Sequence, residues 1–141
     1  MSSSITYAEP KEVELLIRDK SKLPGRDYAI IDVRGDDYRG GNIPGAINVP
    51  ANEMYDKVNN LITEYSKVPI IYFHCALSQV RGPKSARIYM ETLKNLNKNC
   101  DQKVKVLRNG FEGWHAKYRK EKDLIENYDE SVWLWAIEDD K

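Results

Sequence analysis

Two short runs of apolar residues constrain the fold of this 141-residue chain more than any other feature of its sequence. Residues 28–33 (YAIIDV) and 70–73 (IIYF) are rich in β-branched and aromatic side chains, and their apolar residues do not alternate with polar ones. Alternation is typical of a strand with one solvated face, whereas a continuous apolar run is typical of a strand covered on both faces of a parallel sheet. The two runs therefore predict a parallel sheet with helices on both sides.

The rest of the chain alternates between weaker strand signals and helical spacing. The further candidate strands are residues 5–7, 104–107 and, more weakly, 46–49. Apolar residues at helical spacing follow Pro10 and recur over 54–65 and 86–96, and they predict a helix in each place. A shorter helix is predicted at 111–118. We therefore expect an α/β fold with about five strands, most of them parallel, and helices on both faces. The length fits one domain.

Charge and cysteine content limit the classes of partner and compartment. Lys and Arg total 22, as do Asp and Glu, so the net charge is zero and we expect neither a nucleic-acid partner nor a membrane-bound protein. The longest nearly apolar stretch, residues 68–76, is far shorter than the roughly 18 residues of a membrane helix. Without a secretory signal, Cys75 and Cys100 are interpreted as reduced thiols in the cytoplasm, the nucleus or both, with Cys100 a bystander. The sequence does not indicate an oligomeric state.

The strongest candidate site lies where the apolar run 70–73 ends. Cys75 follows this strand, Arg81 comes after five further residues, and Gly82 and Pro83 then begin the next helix. Ligands of α/β sheets bind at the carboxyl ends of strands, and a tight loop that enters a helix presents backbone N–H groups and a positive dipole end. No proline removes a donor between the cysteine and the arginine. The pattern predicts an oxyanion-binding loop formed by Ala76, Leu77, Ser78, Gln79, Val80 and Arg81.

Cys75 and Arg81 are the predicted catalytic residues. The loop amides and the helix dipole favour the thiolate of Cys75, which is the nucleophilic form. The guanidinium of Arg81 can bind two oxygens of a phosphate at once. We expect His74, whose side chain begins on the other side of the strand, to order the loop through hydrogen bonds rather than to act as a base. Singly, a buried structural cysteine and a surface arginine are the ordinary interpretation; their combination at this junction predicts a functional site.

Asp32, Asp36 and Asp37 follow the neighbouring strand and are the carboxylates nearest to the loop. For Asp32 a structural contact near Arg34 is favoured, with a role as general acid as the alternative. Asp36 and Asp37 are interpreted as loop surface or a helix cap. No cluster of histidine and cysteine predicts a metal site, and we expect no cofactor.

Four separated motifs give the sequence a resemblance to the rhodanese superfamily. They are residues 31–34 (IDVR), 41–50 (GNIPGAINVP), 74–83 (HCALSQVRGP) and 106–114 (VLRNGFEGW). Within the superfamily the chain resembles small fungal and plant phosphatases related to the cell-cycle dual-specificity phosphatases, and the arsenate reductase branch. The resemblance covers about residues 5–118 and implies a single rhodanese-like domain over 1–141. For the remaining segment, residues 119–141, a terminal helix that docks its tryptophans is favoured over an exposed docking motif.

Loop length distinguishes the reactions of this superfamily. The resemblance implies a phosphatase or an arsenate reductase, because both carry a loop one residue longer than that of the sulfurtransferases, and Cys75 and Arg81 have the longer spacing. A phosphatase that forms a phosphocysteine is favoured. Ala76 and Val80 replace two glutamates of the cell-cycle enzymes, which favours phosphotyrosine or aryl phosphates, whose leaving groups need less protonation.

The alternatives differ in chemistry and in partner. Arsenate reduction on the same loop, with glutathione or a glutaredoxin as reductant, is the first alternative. Sulfur transfer and a non-catalytic rhodanese-like binding module are the further ones. The expected substrate is accordingly a phosphoprotein or a small oxyanion.

Overall fold

Five parallel strands form a single sheet in the computed structural model, which describes residues 5–96 and 101–138. The strands are β1 (Tyr7–Ala8), β2 (Ala29–Asp32), β3 (Ile47–Asn48), β4 (Ile70–His74) and β5 (Lys103–Leu107). They lie side by side in the order β1-β5-β4-β2-β3, with every pairing parallel. The predicted α/β fold with a parallel sheet of about five strands is confirmed.

Helices cover both faces of the sheet. They are α1 (Pro10–Arg18), α2 (Met54–Tyr65), α3 (Arg81–Asn95), α4 (Gly110–Tyr118) and α5 (Leu134–Glu138), with short 3-10 turns at Ala51–Glu53, Lys122–Leu124 and Glu130–Trp133. Side chains alternate along β4: Ile71 and Phe73 enter a core that α2 and α3 cover, whereas Tyr72 enters a second core with residues of α1 and α4. Both faces of the central strands are therefore dry, as their continuous apolar composition predicted.

The edge strands depart most from their predicted bounds. Residues 5–7 were expected as a strand, but β1 is two residues long and ends at Ala8, which pairs with Leu107 of β5. The predicted strand at 46–49 is likewise only the pair Ile47–Asn48. A two-residue edge strand has its bounds set by the register of its neighbour, and propensity at the strand itself does not encode that register.

The segment after α4 folds back over the second core. Trp133 is 5% exposed, its Nε1–H donates to the carbonyl of Gly40 at 2.9 Å, and its ring stacks on His115 with ring centroids 4.1 Å apart. Trp135, two residues later, is 57% exposed. One tryptophan of the pair is thus docked and the other faces solvent. Within residues 5–96 and 101–138, no helix has the length and apolar character that a membrane span requires.

The sheet register brings the chemistry-bearing residues to one edge. Asp32 at the end of β2 is the direct partner of His74 at the end of β4, because the two strands pair in parallel. The loop after β4 begins with Cys75, and the loop after β2 contains Asp37. Both loops therefore leave the same end of the sheet, where ligands of such folds bind.

Candidate active site

The loop after β4 curls around the sulfur of Cys75. This residue is 3% exposed, and its Sγ accepts a hydrogen bond of 3.1 Å from the backbone N–H of Ser78. Ser78 reaches this position with a left-handed backbone (φ +56°), and its Oγ lies 3.4 Å from the backbone nitrogen of Cys75. The loop thus directs a backbone donor at the sulfur that the sequence predicts to be the nucleophile.

The beginning of α4 orients the first two peptide groups of the loop. The N–H groups of Phe111 and Glu112 donate to the carbonyls of Cys75 and Ala76, each at 2.9 Å. A trans peptide points its N–H away from its own carbonyl, and the described part of the chain contains no cis peptide bond. The N–H groups of Ala76 and Leu77 therefore point away from α4.

These contacts leave an open pocket beside the cysteine. Its volume is about 170 Å³, several times the roughly 30 Å³ that a water molecule occupies in the liquid. Its lining contains Cys75 and five of the six residues predicted for the oxyanion loop: Ala76, Leu77, Gln79, Val80 and Arg81. The sixth, Ser78, is buried and gives its N–H to the sulfur instead. The N-terminus of the 15-residue helix α3 begins at Arg81 and adds a positive dipole end.

The guanidinium of Arg81 is held by a carboxylate from the other loop. Its two terminal nitrogens donate to the two oxygens of Asp37, at 2.8 and 2.7 Å. This pairing lowers the pKa of Asp37 to about 2 and raises the pKa of Arg81. The interpretation of Asp37 as loop surface or a cap misses this contact. The sequence has no direct signal for this contact, because it depends on the pairing of β2 with β4, which brings the loops after the two strands next to each other.

Asp32 is fully buried in a second ion pair, away from the pocket. Arg34 donates to both of its oxygens, with Nη2 2.8 Å from Oδ2, and the same guanidinium donates to the carbonyl of Gly41 at 2.8 Å. The guanidinium carbon of Arg34 also lies 4.4 Å from the centre of the Phe111 ring. The pair ties the end of β2 to the glycine-containing turn and to α4. Asp36, by contrast, is exposed.

His74 is completely buried behind the loop. Its Nδ1 lies 3.1 Å from the carbonyl oxygen of Cys75, and its Nε2 lies 3.8 Å from Asp32. Burial lowers the pKa of His74, although the charge of Asp32 acts in the opposite direction. The ring is therefore neutral at physiological pH, and the contact with a carbonyl requires the proton on Nδ1. In this geometry His74 holds the Cys75 peptide and has no access to the pocket.

His115, the second of the two histidines, lies outside the site. Cys100 falls outside the described residues. His115 packs under Trp133, and its Nε2 lies 2.9 Å from the hydroxyl of Tyr128. Over residues 5–96 and 101–138, no group of three or more histidine, cysteine, aspartate or glutamate side chains is arranged to hold a metal ion.

Comparison with known proteins assigns the fold and the branch. The pattern of the rhodanese-like domain matches residues 9–117. The dual specificity phosphatase ibp1 of Schizosaccharomyces pombe is 30% identical over 139 residues, covering 88% of this chain and 98% of that protein. The dual specificity phosphatase Cdc25 of Arabidopsis thaliana is 37% identical over 118 residues, covering 82% of this chain and 77% of that protein.

A solved structure extends the similarity to a reductase. The As-Sb reductase from Leishmania major superposes with a TM-score of 0.71 at 31% sequence identity, covering 86% of this chain and 85% of that one. The resemblance drawn from the four motifs is thereby confirmed, with relatives among both Cdc25-like phosphatases and reductases. The chain belongs to the rhodanese-like domain family, in the branch that contains these enzymes.

Proposed function

We propose that this protein is a cysteine-dependent phosphatase that hydrolyses phosphotyrosine or other aryl phosphomonoesters through a phosphocysteine. The observation that carries the proposal is the pocket that has Cys75 at one end of the loop and Arg81 at the other. The N–H of Ser78 on the sulfur supports Cys75 as the nucleophile, and the N–H groups of Ala76 and Leu77, which point away from α4, support binding of a tetrahedral oxyanion.

The reaction has two steps. The thiolate of Cys75 attacks phosphorus in line, the sulfur–phosphorus bond forms, and the bond to the ester oxygen breaks with its electron pair on that oxygen. Arg81 and the loop amides stabilise the negative charge on the nonbridging oxygens. Water then attacks the phosphocysteine, which releases inorganic phosphate and returns the thiolate.

The lining of the pocket supports an aryl leaving group. Among the described residues, those that line the Cys75 pocket include no carboxylic acid. Asp37 is ionised at neutral pH because Arg81 holds its pKa near 2, and Asp32 is buried against Arg34. Neither is a proton donor in this geometry. A phenol, whose pKa is about 10, departs as its anion more readily than an alkyl alcohol.

Arsenate reduction is the second candidate, and a specific observation favours it. The same pocket without a lining acid suits arsenate, which has no alcohol to protonate, and the As-Sb reductase from Leishmania major is 31% identical to this chain. In that reaction the sulfur of Cys75 would bond to arsenic and displace one arsenate oxygen as water, and thiols of glutathione or a glutaredoxin would be oxidised to a disulfide, which supplies the two electrons that reduce As(V) to As(III). Sulfur transfer and a non-catalytic module rank below both candidates. For any of these we propose the cytoplasm or nucleus, where Cys75 stays reduced.

One side-by-side assay distinguishes the candidates. The purified protein, Cys75→Ser and Arg81→Lys are tested with phosphotyrosine and phosphoserine peptides, with arsenate plus glutathione and glutaredoxin, and with thiosulfate plus cyanide. We expect phosphotyrosine to be hydrolysed in preference to phosphoserine, Cys75→Ser to be inactive, and Arg81→Lys to lose at least about a hundredfold in kcat/KM.

The other results assign the alternatives. Arsenate reduction without phosphotyrosine hydrolysis would replace the phosphatase with a reductase, and activity with thiosulfate alone would indicate sulfur transfer. No activity in any assay would favour the binding module. Hydrolysis by Cys75→Ser at the parental rate would refute the cysteine mechanism itself.

A further inference from the structure

The contact between Asp37 and Arg81 joins two loops that are 44 residues apart in the sequence. Each terminal nitrogen of the arginine meets a different carboxylate oxygen, and one of these oxygens also accepts the backbone N–H of Gly35 at 3.0 Å. The hydrogen bond from Gly35 therefore holds the carboxylate within its own loop, independently of the arginine. The side chains are 40% and 38% exposed, so the pair lies at the rim of the site rather than in the core.

Arg81 has further donors beyond those that hold this carboxylate. A guanidinium carries five N–H groups, and the end-on pair uses one on each terminal nitrogen. The Nε–H and the second hydrogen on each terminal nitrogen lie outside this pair, and the guanidinium also interacts with the side chain of Cys75. In the same structure, Arg81 both contacts Asp37 and lines the Cys75 pocket. One side chain is thus placed to hold the carboxylate at its end and an oxyanion along its edge.

We propose that Asp37 is the positioning residue for Arg81: by holding the guanidinium end-on, it presents the Nε–H edge to the oxyanion in the Cys75 pocket. The proposal rests on the proposed oxyanion chemistry of this site and assigns a role to a residue outside the active loop. It concerns the binding of phosphate or arsenate alike, because either one would occupy the same edge of Arg81.

The energetic reason for such a contact is preorganisation. A free arginine side chain loses rotamer freedom when a ligand fixes it, whereas an arginine that a carboxylate already holds has lost that freedom before the ligand binds. The opposing effect is the negative charge of Asp37 near a bound dianion. The guanidinium lies between the two anions and screens one from the other, so we expect the gain in alignment to exceed the repulsion.

Oxyanion affinity tests the proposal without any need for turnover. Binding of inorganic phosphate and of arsenate is measured by calorimetry for the parent, Asp37→Asn, Asp37→Glu and the control Asp36→Asn, which removes the same charge from the exposed neighbouring position. We expect Asp37→Asn to weaken both anions about tenfold, Asp37→Glu to restore part of the affinity, and Asp36→Asn to match the parent. Thermal unfolding of each variant verifies that the fold is retained.

Kinetics with the best substrate from the side-by-side assay provide a second readout. We expect Asp37→Asn to lower kcat about 10- to 100-fold, with a smaller change in KM, because the arginine contact strengthens in the transition state. In an Arg81→Lys background the same substitution should have little further effect, because lysine lacks the fork that Asp37 orients. In the pH dependence of kcat, the acidic and basic limbs should stay at the same pH values as in the parent.

Four results would overturn the proposal. Tighter phosphate binding by Asp37→Asn would show that the carboxylate competes with the anion. Equal changes in Asp37→Asn and Asp36→Asn would reduce the effect to general charge, and unchanged binding would make Asp37 a bystander. Loss of one limb of the pH profile would identify a proton donor instead. If the anions bind as expected but no substrate is turned over, the proposed function fails while the role of Asp37 stands.

Discussion

Gly110 approaches the active loop more closely than any residue with a side chain would permit. Its backbone is left-handed (φ +57°), and a Cβ at this position would overlap the carbonyl oxygens of Cys75 and Ala76. These are the carbonyls that accept the N–H groups of Phe111 and Glu112. The glycine therefore lets the beginning of α4 reach the loop and orient its amides.

We predict that Gly110→Ala separates α4 from the loop. The substitution combines a left-handed alanine, which costs about 1 to 2 kcal/mol, with a collision against the backbone, so the free energy of unfolding should fall by more than about 2 kcal/mol. Activity should fall as well, because the Ala76 and Leu77 amides lose their orientation. Urea unfolding and steady-state kinetics measure the two effects.

Gly25→Ala is the matched control for Gly110→Ala. Gly25 also has a positive φ of +88°, but a Cβ there would meet nothing within 4 Å. Only the conformational cost of about 1 to 2 kcal/mol should appear, without loss of activity. Equal effects of the two substitutions would mean that strain, and not the approach to the loop, explains Gly110.

Local spacing made part of the site predictable at the level of single residues. Cys75 and Arg81 belong to one loop, so their sequence separation determines their geometry, and the structure places both at one pocket. Asp37 belongs to another loop, and its contact depends on the pairing of β2 with β4. A single sequence contains no direct signal for that pairing, so its local pattern indicates only a surface position for Asp37.

The two tryptophans near the carboxyl end of the described chain have opposite roles in packing. Trp133 stacks on His115, donates to the Gly40 carbonyl and lies 5.7 Å from the Phe111 ring, measured between ring centroids, whereas Trp135 is mostly exposed. Gly40 directly precedes Gly41, whose carbonyl accepts a hydrogen bond from Arg34. The end of the chain is thus connected to the loops that surround the site.

Trp133→Ala and Trp135→Ala should differ sharply in stability. Loss of the buried ring should lower the free energy of unfolding by about 3 to 5 kcal/mol, whereas loss of the exposed ring should change it by less than about 1 kcal/mol. Thermal and urea unfolding with circular dichroism detection measure both variants. Similar losses would show that the segment from 130 onward packs as one unit through both rings.

Secondary structure was predictable where burial produced a clear pattern. The central strands β2 and β4 and the helices α2 and α3 follow from their apolar runs and stripes. The last segment was harder, because apolar residues in the sequence SVWLWAI do not show which tryptophan will face the core. That choice depends on where Gly40 and His115 lie, which is a property of the tertiary structure.

Charged side chains connect α1 to the end of α4 and to the segment that follows it. On α1, Glu14 accepts hydrogen bonds from Arg18 and from the hydroxyl of Tyr118 at the end of α4, each at 2.8 Å. Arg18 in turn pairs with Glu121 and Asp123. The cluster connects residues more than 100 positions apart on the face of the sheet that α1 and α4 cover. We therefore expect a substitution that weakens this cluster to lower the free energy of unfolding of the whole domain.

Glu14 should make the stability of the protein depend on acid. The hydrogen bonds from Arg18 and Tyr118 lower its pKa from 4.5 to about 2. A carboxyl whose pKa is lower in the folded state stabilises the fold at pH values above its unfolded pKa, and that contribution is lost as the pH falls through the folded value. Glu14→Gln should lose about 1 to 3 kcal/mol near pH 7. The difference from the parent should shrink below pH 4.5 and disappear once the pH falls below about 2. Urea unfolding across this range measures it.

Glu9→Gln provides the comparison for this acid-dependent effect. Glu9 pairs with Arg108 at 2.7 Å, but both side chains are exposed, and exposed pairs contribute less than about 1 kcal/mol. Its substitution should therefore leave the pH dependence of unfolding close to that of the parent. If Glu9→Gln reproduced the Glu14→Gln profile, the general loss of negative charge would explain both. If Glu14→Gln differed from the parent equally at pH 3 and pH 7, the buried hydrogen bonds would not be the source of the acid sensitivity, and the contact between α1 and α4 would stabilise the fold by packing alone.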